Sequence, residues 1–181
     1  MLFRSSGADI KARGGVFGTA LQAAAICEKE KLIKRLLGGA ADIDAHEGIF
    51  GSALQIASGD GDEKIVQLLL DYGADVNAQG GMMGSALQAA AAGSRGAMVL
   101  LLLGKGASVR TQGGLVGSAL HCAVMESNEE IVKVLLEHGA NARAQDYIHG
   151  SVLHSAAMHN DSAEIIQFPA SCHFWCRVDT I

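Results

Sequence analysis

Aromatic side chains and prolines are scarce in this chain of 181 residues. Aromatic residues make up only 4% of it, and proline occurs once, as Pro169. A core with so few large rings must be filled by smaller side chains, although 49% of the residues are hydrophobic. We therefore expect alanine, leucine and glycine to pack the interior.

Long apolar runs and an excess of basic residues are also missing. The longest apolar run, from Ala97 to Leu103, is far too short to cross a bilayer, and the N-terminal stretch has no apolar region typical of a signal peptide. The formal net charge is −5, which provides no basic surface for phosphate groups. These absences predict a protein without a membrane span and without direct contact to nucleic acid.

The four cysteines lack the spacing of a disulfide framework. Cys27 and Cys122 stand alone, and Cys172 and Cys176 form a C-x-x-x-C pair without the second ligand pair of a zinc site. We therefore predict reduced thiols, no metal and no cofactor. Such thiols are typical of an intracellular protein, cytoplasmic or nuclear.

One five-residue phrase recurs at a constant interval. It reads G-T-A-L-Q, then G-S-A-L-Q twice, G-S-A-L-H and G-S-V-L-H, and each copy begins 33 residues after the one before, at positions 18, 51, 84, 117 and 150. Composition alone does not produce such a constant interval. The chain is therefore predicted to repeat one supersecondary unit.

Each unit predicts two antiparallel helices. The hydroxyl residue of the phrase, such as Ser85, can cap a short alanine-rich helix. After a polar break, apolar residues such as Ile65, Val66 and Leu69 recur at helical spacing and predict a second helix. That helix ends at a glycine such as Gly73, and the following extended residues with a double glycine predict a protruding hairpin loop.

These features together resemble the ankyrin-repeat family. The period, the phrase G-A-D-V-N-A at 73–78, the helix start S/T-x-L-Q/H and the second helix I-V-x-L-L-L at 65–70 all match that family's pattern. The resemblance implies an all-α solenoid of about five stacked helix pairs joined by β-hairpin-like loops, the last pair irregular. The phrasing G-G-x-x-G-x-A-L-Q resembles arrays of filamentous fungi, often attached to nucleotide-binding receptor-like domains.

The predicted array covers residues 1–168. It comprises a remnant at 1–12 and units at about 13–45, 46–78, 79–111, 112–144 and 145–168, followed by a non-repeat tail at 169–181. The family's histidine in the helix start remains at His121 and His154 and is glutamine in the other units. In the family this histidine forms hydrogen bonds within the hairpin and cap, so we expect no catalytic role for it.

The resemblance implies a non-catalytic protein that binds a partner protein, or another domain, through its loop tips and concave helix surface. By register, the candidate partner contacts are Arg13, Phe17, Ile26, His46, Phe50, Gln79, Met82, Met83, Gln112, Leu115, Met125, Gln145, His149 and Met158. Either the apolar tip residues form an exposed ridge, or one of each pair packs beneath its hairpin against the next unit.

A second functional hypothesis remains open from the sequence. The chain is then the sensor or regulatory segment of a nucleotide-binding receptor-like multidomain protein. Under either hypothesis we predict no enzymatic activity, because no acid and base residues with distinctive spacing occur. We also predict a monomer.

Overall fold

The computed structural model describes residues 9–146, 148 and 150–159. Within these residues it contains nine helices: α1 (Ala20–Ile26), α2 (Glu30–Gly38), α3 (Ala53–Asp60), α4 (Glu63–Asp71), α5 (Ala86–Ala92), α6 (Gly96–Gly104), α7 (Ala119–Met125), α8 (Glu129–Glu137) and α9 (Val152–His159). Two short strands, β1 (Gln145–Asp146) and β2 (Gly150–Ser151), pair antiparallel. None of the described helices is long and apolar enough to cross a membrane.

The helices form two layers. In the inner layer, α1 packs on α3, α3 on α5, α5 on α7, and α7 on α9. In the outer layer, α2, α4, α6 and α8 each pack on the inner helix that precedes them in sequence. The prediction of an all-helical array of stacked pairs is therefore confirmed.

Two details of the prediction are not confirmed. The described residues contain four complete helix pairs and the single helix α9, whereas about five pairs were expected. The second helix of the fifth unit and the tail at 169–181 lie outside the described residues. Most described loops show backbone pairing, either as the β1–β2 ladder or as an isolated bridge. The described loop ahead of α3 shows neither, so a hairpin form is not established for every loop.

Alanine and leucine fill the core, as the composition predicts. Among the inner helices, Leu54, Leu87 and Leu120 are each 1% exposed, and Ala90 is fully buried. Burying these side chains supplies most of the stabilisation, at roughly 25 cal/mol per Å² of apolar surface. Their small size also lets neighbouring inner helices approach closely.

The predicted caps are confirmed. The Ser52 hydroxyl accepts a hydrogen bond from the Gln55 backbone N–H at 3.3 Å and so satisfies one unpaired amide at the start of α3. The equivalent hydroxyls do the same in the other units, namely Thr19, Ser85, Ser118 and Ser151.

The outer helices end in a left-handed residue. Gly73, Gly106 and Gly139 take φ values of 90°, 89° and 86° there, which glycine adopts without a steric penalty. In the first unit the same position is Ala40, which keeps the left-handed conformation with φ 66°. This alanine is therefore a strained residue in an otherwise regular motif.

Candidate partner-binding groove

Glutamine side chains of the inner helices join each unit to the next. The Gln55 side-chain oxygen accepts from the Ser52 N–H at 2.5 Å, and its Nε2 donates to the Gly84 carbonyl of the following unit at 2.7 Å. Equivalent bonds run from Gln22 to Gly51 at 2.6 Å and from Gln88 to Gly117 at 2.7 Å. In the first two units one buried amide thus holds both the helix start and the next loop, whereas the Gln88 side chain reaches only the next loop and its Oε1 has no hydrogen-bond partner.

His121 makes the equivalent connection in the fourth unit. Its ring is fully buried, with Nδ1 2.8 Å from the Ser118 hydroxyl and Nε2 3.3 Å from the Gly150 carbonyl. His121 therefore bonds both to its own cap and to the hairpin of the next unit. Because glutamine and histidine place a nitrogen at the same carbonyl, the glutamine units keep the inter-unit bond.

The loop tips are tied to one another through their backbones. The Met82 N–H donates to the Ile49 carbonyl at 2.9 Å, and the Leu115 N–H donates to the Met82 carbonyl at 2.8 Å. A longer bond of 3.3 Å runs from the Ile49 N–H to the Val16 carbonyl. These bonds hold the tips in a row, so their side chains form one continuous edge of the array.

An apolar ridge follows this edge. We use that name for Val16, Phe17, Ile49, Phe50, Met82, Met83, Leu115 and Ile148, whose exposed fractions range from 37% to 63%. The rings of Phe17 and Phe50 stack with centroids 6.3 Å apart and planes at 15°. Both residues of each tip pair are therefore exposed in the first three units, rather than one packing beneath its loop. An exposed apolar edge of this kind is a candidate interaction surface.

The polar tip residues flank the ridge. His46, Gln79, Gln112 and Gln145 are all exposed. Arg13 is exposed too, but its guanidinium forms ion pairs with Glu47 and, at 3.0 Å, with Asp42. Arg13 therefore links the first two units, which sequence reasoning did not foresee. The predicted contact His149 lies outside the described residues.

An open groove of about 340 Å³ lies between the ridge and the carboxyl ends of the inner helices. Its lining includes three of the residues predicted from the sequence, Ile26, Phe50 and Met83. Its other lining residues are Gln55, Ile56, Gly59, Asp60, Ala89, Ala92 and Gly93. The groove is therefore apolar apart from one amide and one carboxylate.

Small residues create the groove. Gly59 and Ala92 occupy the position held by Ile26 in the first unit and by Met125 in the fourth. A Cβ on Gly93 would lie 2.3 Å from the Gly59 carbonyl oxygen, so only glycine permits this close approach of adjacent units. Small residues therefore line the groove in the second and third units, and Ile26 of the first unit lines it as well.

The remaining predicted contacts lie outside the groove lining. Met82 and Leu115 belong to the ridge. Met125 is half-buried, and Met158 is 71% exposed, at the ends of later inner helices. The structure therefore divides the predicted set into groove residues, ridge residues and isolated positions.

No group of three or more His, Cys, Asp or Glu side chains among the described residues is arranged to hold a metal ion. Burial raises the pKa of the Cys122 thiol to about 12, so this thiol stays protonated and unreactive near neutral pH. The Cys172–Cys176 pair lies outside the described residues.

Comparison with known proteins agrees with this architecture. The family model described as ankyrin repeats (3 copies) matches residues 1–80, 20–113 and 86–170. The chain belongs to the ankyrin-repeat family. Members of this family are generally protein–protein interaction modules and are typically not catalytic. No curated protein matches the chain.

Proposed function

We propose that this chain is a non-catalytic interaction module that binds another protein, or another domain, through the apolar ridge and the groove beside it. The observation that carries the proposal is the groove of about 340 Å³, where exposed Phe50 and Met83 face the small residues of two inner helices. Aromatic and methionine side chains are enriched in the cores of protein interfaces.

The order of this surface supports the same proposal. Buried glutamine amides join the first three inner helices to the next loop, and backbone bonds join the tips from Val16 to Leu115. A surface held in this way loses little conformational entropy when a partner binds, which favours affinity. We expect the ridge and groove to be preformed in the free protein.

Several wider properties belong to the proposal. We propose five units with hairpin-like loops at the boundaries predicted from the sequence, a monomeric state and an intracellular location. The two described cysteines, exposed Cys27 and buried Cys122, are free thiols, which favours a reducing compartment. The formal charge of −5 argues against nucleic acid as the partner.

Affinity capture with matched variants tests the proposal. The wild-type chain, the double variant Phe50→Ala/Met83→Ala and the control Leu100→Ala are used as bait in the same lysate. Leu100 is 52% exposed on the outer helix α6, so its replacement removes apolar surface away from the groove. We expect partners of the wild type to be lost with the double variant and retained with the control. If all three baits retain the same partners, and circular dichroism shows that the three are equally folded, the groove is excluded as the binding site.

A further inference from the structure

Asp60 is the one charged side chain that lines the groove. It is exposed, and its carboxylate has neither a hydrogen bond nor an ion pair with the described residues. Asp60 is also the last residue of α3, where the unpaired carbonyl groups of the final turn already carry partial negative charge. This end of the groove therefore favours a cationic group on the ligand.

Other charges near this edge leave that preference in place. Lys29 and Arg95 are exposed, but neither lines the groove, and Arg95 Nε donates to the Gly59 carbonyl at 3.2 Å. Glu28 and Glu126 are exposed just after α1 and α7 and add negative charge along the same edge. Asp60 is the charged side chain within the groove lining itself, and the Arg95 side chain passes close by, beside Gly61 and Gly93.

The groove has few groups to pair with the backbone of an extended ligand. Gln55 is its only lining amide, and that amide already bonds to Ser52 and to the next loop. An extended segment would place unpaired N–H and C=O groups against apolar walls, which is costly. An α-helix satisfies its own backbone hydrogen bonds and presents only side chains.

The repeat spacing also suits a helix. Packed helices lie about 8–10 Å apart, so the equivalent groove residues Gly59 and Ala92 are expected to lie about that far apart. Seven residues of α-helix rise about 10.5 Å and return to nearly the same face. A ligand helix can therefore place one apolar side chain beside Gly59 and the next beside Ala92, in the groove that Phe50 and Met83 also line.

We propose that the groove binds an amphipathic α-helix of a partner protein, with apolar side chains seven residues apart and a lysine or arginine beside Asp60. This inference rests on the proposed function, because it specifies the ligand of the same groove.

Selection from a displayed library tests the inference. Random peptides of about 16 residues, long enough for two heptads, are selected on the full folded chain, and the binders are measured by fluorescence anisotropy and circular dichroism. We expect binders that become helical on binding, with apolar residues at heptad spacing and a neighbouring basic residue. Met83→Ala should weaken them about tenfold and Asp60→Asn about two- to fivefold, with Leu100→Ala unchanged.

Selection on a variant with the Asp60 charge reversed tests the contribution of that charge directly. Selection on Asp60→Lys should enrich acidic residues where the wild type enriches basic ones. Binders that depend on Met83 but bind in an extended form, or bind Asp60→Asn and wild type equally, would overturn this inference and leave the proposed function standing. Binders that ignore both Phe50→Ala and Met83→Ala, or the absence of any binder, would instead remove the groove as a binding site.

Discussion

Replacing Gly93 with alanine is predicted to destabilise the array, although nothing in its own backbone requires glycine. Its φ of −80° and ψ of 2° suit any residue. The added Cβ would lie 2.3 Å from the Gly59 carbonyl oxygen and 3.3 Å from the Arg95 Cγ. Because the nearest obstacle is backbone, the second and third units would have to move apart. Overpacking of this kind costs about 1–3 kcal/mol.

Gly59 provides a matched control on the other side of the same contact. A Cβ there would lie 3.6 Å from Ala89 Cβ, an ordinary van der Waals distance. Gly59 is also within α3, where alanine is favoured over glycine by about 0.5–1 kcal/mol. The same chemical change at two touching glycines is therefore expected to shift stability in opposite directions.

Urea denaturation followed by far-ultraviolet circular dichroism measures both variants. The free energy of unfolding should fall for Gly93→Ala and stay equal or rise for Gly59→Ala. Repeat arrays can unfold in more than one step, so hydrogen exchange of α3 and α5 should accompany the melt. Equal stability of Gly93→Ala and wild type would refute the close approach of these units.

Substitutions at three further positions test other parts of the structure. Ala40→Gly should raise the free energy of unfolding by about 1 kcal/mol, because glycine relieves the left-handed strain, and a lower thermal midpoint would contradict this. Gln55→Ala should cost about 1–3 kcal/mol, because it removes the bond to the buried Gly84 carbonyl, whereas Gln55→His should retain most of the stability in a urea melt. Burial raises the Cys122 pKa from 9.0 to about 12, so between those values the thiol ionises in the unfolded chain and not in the folded one. Stability should therefore fall with rising pH more steeply for wild type than for Cys122→Ala, and parallel curves would contradict the burial of that thiol.

Local sequence signals predicted the helices well. A serine such as Ser52 before an alanine-rich stretch and a glycine such as Gly73 after an apolar stretch determine where helices begin and end. These are interactions between neighbours in sequence, so they can be recognised without coordinates. The constant 33-residue interval then placed equivalent residues on equivalent faces.

Contacts between units were harder to predict. The register identified Gln55 as a variant of the family's histidine, but the carbonyl that it reaches lies 29 residues further along the chain. The stacking of Phe17 on Phe50 and the clash that requires glycine at Gly93 likewise depend on the distance between two units. Such distances follow from helix packing and cannot be obtained from periodicity alone.

The candidate site was predicted only in part, because its shape also depends on the packing of one unit against the next. Register placed Ile26, Phe50 and Met83 on the concave side, and these residues do line one groove. The register also assigned isolated positions such as Met125 to the same surface, because it treats equivalent positions of every unit in the same way. The small residues that line this groove occur in two adjacent units, at Gly59 and Ala92.

Site-specific photocrosslinking tests most directly whether the groove binds a partner. A benzophenone amino acid is placed at Met83 in one variant and at Leu100 in another, and both are irradiated in the same lysate. Exposed fractions of 37% and 52% make both positions accessible to a neighbouring chain. We expect a discrete crosslinked protein from position 83 and none from position 100. The same crosslinked protein from position 100 alone would contradict this expectation.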